Sequence, residues 1–257
     1  MATMLAIKAK AIKTYVAMES FFADLFADKN IVKFEGSGAT VVFAVKSLNQ
    51  VFKVPTRDGL KFFQIELDAI RNAEFAHDLG YVYAAITTAN AEMIRQIPKK
   101  CNALCGVGDP IVSMPLLSGT TALEALYTKK IDTQIIARAI VDHVAKLQGH
   151  QWYNTDLKLE NIQLTDDGRV VFLDWGSLCK KDSNCPTATF AVIGHTTCPR
   201  TCGSLAAVLT LAELFKLPIP DDRKLSEGVY LDLREEVLGK LENPHDHRLR
   251  QNTINAF

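Results

Sequence analysis

The stretch that decides the fold is Tyr153–Leu178, with the sequence YNTDLKLENIQLTDDGRVVFLDWGSL. Asp156, Lys158 and Asn161 lie close together near its start, in a segment with no helical or strand periodicity. Two short apolar runs follow, separated by an Asp-Asp-Gly turn, and Asp174 comes directly after the second run. This pattern predicts a loop, then a β-hairpin, with an acidic motif at the end of the hairpin.

These residue types suit phosphoryl transfer from a nucleotide. That reaction needs a carboxylate to orient the attacking hydroxyl and accept its proton, oxygen ligands for a divalent cation, and a positive charge near the transferred group. Asp156 would supply the first, Asn161 with Asp174 the second, and Lys158 the third. A turn-rich loop with ordinary capping aspartates is the alternative, and the spacing of the four residues disfavours it.

The stretch resembles the catalytic loop and the Asp-Phe-Gly motif of the protein-kinase superfamily, with DLKLEN followed by DWG at the expected distance. The resemblance implies an α+β, bilobal, protein-kinase-like fold with a β-rich N-lobe and a mainly helical C-lobe. It implies an N-terminal helix plus N-lobe over residues 1–112, and a hinge plus C-lobe over residues 113–257. It also implies that Asp156 and Lys158 are catalytic and that Asn161 and Asp174 bind the metal.

The same resemblance extends upstream to the residues that would bind ATP. Gly36 and Gly38 lie between two β-like runs, where glycine lets backbone amides approach phosphates. Lys53 follows in the apolar segment VFKV, and Glu66 lies on a helix where the family has a glutamate that pairs with the strand lysine. The segment IVSMPLL resembles the hinge that binds adenine. The implied ATP site comprises Gly36, Gly38, Val51, Lys53, Glu66, Met114, Leu116 and Gln163, with Mg²⁺ or Mn²⁺ as the cation.

Several positions depart from the family pattern. The family's His-Arg pair before the catalytic aspartate is Asn154-Thr155, so the arginine that binds a phosphorylated activation loop is missing. An active enzyme should therefore not need that phosphorylation. Gln163 replaces an apolar residue under the adenine ring, and Thr201 replaces the aspartate that leads the central C-lobe helix. A short chain that lacks these family residues resembles the compact kinases of large DNA viruses, including baculovirus-type ones.

Four of the six cysteines cluster after the DWG motif. Their spacings match no standard zinc-finger pattern, even with a histidine nearby, so we expect no structural zinc. Thiols, or a disulfide formed on oxidation, are expected instead. The residues concerned are Cys179, Cys185, His195, Cys198 and Cys202.

Charge and hydropathy indicate which partners and which location to expect. The chain has 257 residues with 29 basic and 29 acidic side chains, and this neutral balance argues against non-specific binding of nucleic acid or anionic membranes. No apolar run is long enough to span a bilayer. Residues 1–28 predict an amphipathic helix and not a signal peptide, so an intracellular location, cytoplasmic or nuclear, is expected.

Local patterns predict the order of elements. Residues 31–54 predict two or three antiparallel strands with a turn near residues 47–49, and residues 60–76 predict a helix. A short strand over 111–117 and an amphipathic helix over 131–147 follow. Residues 81–98 fit either strands or a helix, and the region after residue 203 predicts helices interrupted at Pro218 and Pro220.

Three functions remain open at this point. The form DLKxEN favours an active Ser/Thr protein kinase that uses ATP. A pseudokinase acting as a binding or regulatory module would account for the altered regulatory positions. A small-molecule kinase of the aminoglycoside or choline phosphotransferase type would account for Trp175, since those enzymes often have an Asp-Trp pair there. The sequence does not indicate the protein substrate or the oligomeric state.

Overall fold

A computed structural model describes residues 31–34, 40–71, 85–89, 94, 103, 105–128, 131–180, 199–219 and 227–241. The predicted N-terminal helix, the predicted phosphate loop with Gly36 and Gly38, and Cys185, His195 and Cys198 lie outside these ranges. The described residues belong to two compact units. The first contains those up to residue 60 and those from 85 to 116, and the second contains 61–71 and those from 117 onward. The division at residue 112 stays a prediction.

The first unit contains an antiparallel sheet with strand order β1-β2-β3-β5-β4. A 3₁₀ turn, Lys46–Leu48, joins β2 to β3, and Asn49 closes it with a left-handed φ of 51°. The predicted strands and turn of residues 31–54 are thus confirmed, and the ambiguous region contains a strand. The strands are β1 Ile31–Phe34, β2 Thr40–Val45, β3 Gln50–Pro55, β4 Ala85–Thr88 and β5 Pro110–Pro115.

Aromatic and β-branched side chains form the core of this sheet. Phe43 on β2 lies opposite Phe52 on β3, with ring centroids 5.6 Å apart, and both are fully buried. Cross-strand aromatic pairs of this kind stabilise a sheet and fix its register, because a one-residue slip of either strand would turn its ring to the opposite face and break the pair. The apolar run of VFKV is therefore explained by burial in the strand.

The second unit is mainly helical. Its longest helix, α3, begins after Asp132, whose carboxylate accepts a 2.9 Å hydrogen bond from the Gln134 amide. Its buried residues recur at helical spacing, as predicted for residues 131–147, and join one hydrophobic core with α4 and α5. The helices are α1 Leu60–Arg71, α2 Ala122–Thr128, α3 Thr133–Gly149, α4 Pro199–Leu214 and α5 Glu227–Leu241. Within the described ranges, no helix has the length and apolar character needed to cross a bilayer.

Two small sheets lie in the second unit and hold the decisive stretch. One has the order β6-β8-β9, and in the other β7 pairs with β10. Gly119, in β6, has φ +124°, and a Cβ there would lie 2.0 Å from the Leu164 carbonyl oxygen, so this close pairing requires glycine. The strands are β6 Gly119–Thr121, β7 Trp152–Asn154, β8 Ile162–Thr165, β9 Val170–Phe172 and β10 Leu178–Lys180.

Candidate active site

The loop between β7 and β8 carries three of the four predicted phosphotransfer residues. The Asn154 side-chain oxygen accepts a 3.1 Å hydrogen bond from the Asp156 amide, as in an Asx turn. On the other side, the Asn161 side-chain nitrogen donates to the Asp156 carbonyl oxygen at 3.2 Å. The backbone of Asp156 is therefore held at both its N–H and its C=O by neighbouring side chains.

The side chains of Asp156 and Lys158 meet within this loop. Lys158 Nζ lies 2.7 Å from Asp156 Oδ2, and the two side chains are 41% and 17% exposed. Solvent screening makes such a part-exposed pair weak as a contribution to stability. Its importance is geometric, because it brings a carboxylate and an ammonium group to the same point.

The β8–β9 hairpin brings the fourth residue, Asp174, back beside the loop. Ile162 pairs with Phe172, and the Leu173 amide donates to the Asn161 carbonyl oxygen at 2.7 Å. Asp174 is the next residue along the chain. The predicted hairpin is thus confirmed. It brings Leu173, the residue before Asp174, into a direct hydrogen bond with Asn161.

Asp174 has an unusual backbone conformation, with φ 62° and ψ 88°. A non-glycine residue in the left-handed region costs about 1–3 kcal/mol, and such residues are concentrated at functional sites. Its Oδ1 accepts a 3.3 Å hydrogen bond from the Gly176 amide. A Cβ at Gly176 would lie 3.4 Å from that oxygen and 3.8 Å from Glu66 Oε2, so the buried Glu66 of α1 faces this turn.

Asn161 and Asp174 have the donor chemistry that a hard divalent cation requires. The side-chain nitrogen of Asn161 donates to the Asp156 carbonyl oxygen, so the side-chain oxygen is the Asn161 atom that could bind a cation. In the parts of the chain that the structure describes, no three His, Cys, Asp or Glu side chains form a metal-binding group. The pair fits a cation that takes its other ligands from nucleotide phosphates and water, as Mg²⁺ commonly does.

Thr155 ties the segment after the DWG motif to the strand before Asp156. Its amide and its hydroxyl both donate to the Ser177 carbonyl oxygen, at 3.1 and 3.0 Å. Beside this contact, Leu178 pairs with Asn154 in the β7–β10 ladder. Asn154 and Thr155, which stand where the family has its His-Arg pair, therefore both form side-chain hydrogen bonds with backbone atoms. Cys179 is buried in β10, and the prediction of no structural zinc remains untested.

The buried imidazole of His143 packs against the β8–β9 hairpin. His143 on α3 stacks on the Phe172 ring, with centroids 4.1 Å apart and an interplanar angle of 9°. Complete burial, with a smaller contribution from the Lys146 charge, lowers the pKa of His143 from 6.5 to about 3. The ring is therefore neutral at physiological pH. The signal for His143 in the sequence is its helical spacing with Ile136 and Ile140, which places it on the buried face of α3.

Among the residues that the structure describes, four of the predicted ATP-binding set lie in the first unit. Val51 on β3 pairs with Met114 on β5, and the Leu116 amide donates to the Asn49 carbonyl oxygen at 3.0 Å. Lys53, two residues after Val51, is only 5% exposed. A lysine this deeply buried in a strand is uncommon and is retained in proteins when its charge is compensated.

Gln163, predicted to lie under adenine, belongs to the second unit. It is half-buried on β8, between Thr121 of β6 and Val171 of β9. The structure thus brings Asp156, Lys158, Asn161 and Asp174 together in the second unit, with Glu66 beside the Gly176 turn. It brings Val51 and Met114 together in the first unit. The binding and catalytic roles of all these residues remain predictions.

Comparison with known proteins gives matches among solved structures, which support the fold. No protein-family model and no curated protein matches the sequence. Among solved structures, the ROP18 kinase domain in complex with AMP-PNP and sucrose is similar, with a TM-score of 0.56 and 15% sequence identity. That match covers 87% of this chain and 77% of the ROP18 chain.

The bifunctional kinase-methyltransferase WbdD also matches, with a TM-score of 0.45 and 13% identity over 84% of this chain. The matched region spans about half of the WbdD chain, 47%. A second WbdD structure, with the kinase inhibitor LY294002, matches with a TM-score of 0.46 and 14% sequence identity. The likeness to the ROP18 kinase domain confirms the α+β expectation, β-rich first and mainly helical later, and the chain has a protein-kinase-like fold.

Proposed function

We propose that this protein is an ATP-dependent phosphotransferase, and specifically a Ser/Thr protein kinase. One observation carries the proposal: Asp156, Lys158 and Asn161 occupy one hydrogen-bonded loop, and the hairpin returns Asp174 beside it. A carboxylate, an ammonium group and two oxygen ligands are the groups that this chemistry needs.

Asp156 would orient the acceptor hydroxyl and take its proton. As the acceptor oxygen forms its bond to the γ-phosphorus, the bond from that phosphorus to the β–γ bridging oxygen breaks and ADP leaves. Lys158, whose ammonium group already reaches the Asp156 carboxylate at 2.7 Å, would neutralise charge on the transferred phosphoryl group. The side-chain contacts to the Asp156 backbone would keep that carboxylate in place without reorganisation during the reaction.

Asn161 and Asp174 would hold Mg²⁺ or Mn²⁺. When bound, the cation neutralises charge on the nucleotide phosphates. The left-handed backbone at Asp174 fixes where its carboxylate points, and the Gly176 amide orients one of its oxygens. The chain would thus contribute two oxygen ligands, Asn161 in the loop that carries the base and Asp174 beside that loop.

The remaining predicted residues would bind the nucleotide. The likeness to a kinase domain solved with AMP-PNP, a non-hydrolysable ATP analogue, supports ATP as the nucleotide. Lys53 would bind the α- and β-phosphates and Glu66 would orient Lys53, whereas the backbone around Met114 and Leu116 would bind adenine. The full set proposed is Gly36, Gly38, Val51, Lys53, Glu66, Met114, Leu116 and Gln163.

The acceptor is proposed to be a serine or threonine hydroxyl of a protein, because the loop has the form Asp-Leu-Lys-x-Glu-Asn. Thr155, bonded twice to the Ser177 carbonyl, supports a site that is assembled without activation-loop phosphorylation. A pseudokinase has no chemical need to keep Asp156, Lys158, Asn161 and Asp174 together. A small-molecule kinase would share these residues and differ in the acceptor.

Labelling with γ-³²P-ATP tests both the reaction and the acceptor. The purified protein is incubated with Mg²⁺ or Mn²⁺ and generic protein substrates, and separately with aminoglycosides or choline. Label recovered as phosphoserine or phosphothreonine supports the proposal, and label found on small molecules alone replaces the acceptor class. Nucleotide-induced thermal stabilisation without any transfer indicates a pseudokinase. Neither transfer nor stabilisation would overturn nucleotide chemistry altogether.

A further inference from the structure

Helix α4 lies directly against the strand that leads into the catalytic loop. A Cβ at Gly203 would lie 3.1 Å from the Tyr153 Cβ and 3.5 Å from the Asn154 carbonyl oxygen. Glycine at this position therefore lets the helix approach β7 more closely than any other residue would. A side chain there would push the helix and the strand apart.

Thr210 extends the same contact to the loop itself. It lies seven residues, or about two turns, after Gly203 and so faces the same way. Its hydroxyl oxygen is 2.7 Å from the carbonyl oxygen of Leu157, a residue 53 positions away in sequence. Thr210 is only 3% exposed, and the Leu157 side chain is buried as well. Leu157 lies between the two predicted catalytic residues, Asp156 and Lys158.

The hydroxyl of Thr210 is shared between its helix and the loop. It lies 2.7 Å from the Ala206 carbonyl oxygen, four residues earlier in α4, as well as from Leu157. Threonine in a helix commonly bonds to its own i−4 carbonyl. The single hydroxyl proton here lies between two carbonyls, one in the helix and one in the loop. Removing the Thr210 hydroxyl would leave the buried Leu157 carbonyl without this donor, which lowers the free energy of unfolding.

We propose that Thr210 is a positioning residue for phosphotransfer, which holds the Leu157 carbonyl and thereby orients Asp156 and Lys158. The inference rests on the proposed function. The Thr210 hydroxyl donates directly to a carbonyl of the loop, so helix α4 holds the loop backbone at the residue between Asp156 and Lys158.

Three variants separate positioning from general stability. Thr210→Val keeps the shape and removes the hydroxyl, and Thr210→Ser restores the hydroxyl. Thr128→Val is the matched control, because the Thr128 hydroxyl donates to Glu124 O at 2.6 Å within its own helix, α2. The measurements are kcat and KM for ATP, the thermal midpoint, and hydrogen exchange of the Asp156 and Asn161 amides.

We expect Thr210→Val to lower kcat about ten- to a hundredfold and to change KM for ATP by less than about threefold. Thr210→Ser should recover most of kcat, and Thr128→Val should match the wild type. Wild-type kcat in Thr210→Val, or equally low kcat in Thr210→Ser, would overturn the proposal. So would a loss of kcat that merely follows a lower thermal midpoint.

Hydrogen exchange keeps the test independent of the proposed function. If the wild type transfers no phosphate, the proposed function fails, and exchange still decides the role of Thr210. Faster exchange confined to the amides of Asp156 and Asn161 in Thr210→Val, reversed in Thr210→Ser, supports positioning of the loop. Unchanged exchange, or faster exchange throughout the helical unit, contradicts it.

Discussion

The buried histidine behind the hairpin predicts a specific sensitivity to acid. Folding lowers the pKa of His143 from 6.5 to about 3, first because of burial and then because of Lys146. Between these values the unfolded chain binds a proton that the folded chain does not bind. The contribution of the buried, neutral His143 ring to the free energy of unfolding is therefore complete above pH 6.5 and is lost as the pH falls toward 3. The slope approaches about 1.4 kcal/mol per pH unit, or about 2 kcal/mol by pH 5.

Urea unfolding at pH 7.5, 6.0 and 5.0 measures this contribution. His143→Phe keeps a ring against Phe172 and removes the titration, so its free energy of unfolding should fall less than that of the wild type on acidification. The difference between the two proteins should change by about 2 kcal/mol between pH 7.5 and pH 5. Parallel curves for wild type and His143→Phe would refute the reasoning.

Two further predictions concern the backbone around the site. Gly119→Ala should lower the free energy of unfolding by at least about 2 kcal/mol, because its Cβ would meet the Leu164 carbonyl and its φ is +124°. Gly149→Ala, with open space around its Cβ, should change that free energy by less than about 1 kcal/mol, and equal losses in chemical denaturation would contradict this account. Thr155→Val should cost about 1 kcal/mol by losing the hydroxyl bond to Ser177 O while keeping the amide bond. Thr155→Ser should restore the loss in the same denaturation experiment, and a serine variant no more stable than the valine variant would exclude the hydroxyl as the cause.

Local patterns predicted much of the secondary structure. The apolar runs on either side of the Asp-Asp-Gly turn form β8 and β9, and helix α3 occupies Thr133–Gly149 where residues 131–147 were predicted. These elements depend on spacing and turn chemistry, which are visible in a single sequence. The short strand β6, Gly119–Thr121, was not predicted, because three residues are too few to show a period.

A single sequence does not show the contacts that complete the loop between β7 and β8. In the sequence Asn154 and Thr155 are only departures from a family pattern, whereas in the structure the side chains of both form hydrogen bonds with backbone atoms. Ser177 lies 22 residues from Thr155, and Leu157 lies 53 residues from Thr210. Such partners depend on strand pairing and helix packing, which local propensity does not encode.

The most direct test of phosphotransfer at this site compares initial rates with γ-³²P-ATP for wild type, Asp156→Asn and Asp166→Asn. Asp166, exposed in the hairpin turn, is the matched control for the loss of one carboxylate. We expect transfer by the wild type, a rate about 10²- to 10⁴-fold lower for Asp156→Asn, and a wild-type rate for Asp166→Asn. Equal rates for wild type and Asp156→Asn, or no transfer by the wild type to any acceptor, would contradict the central claim.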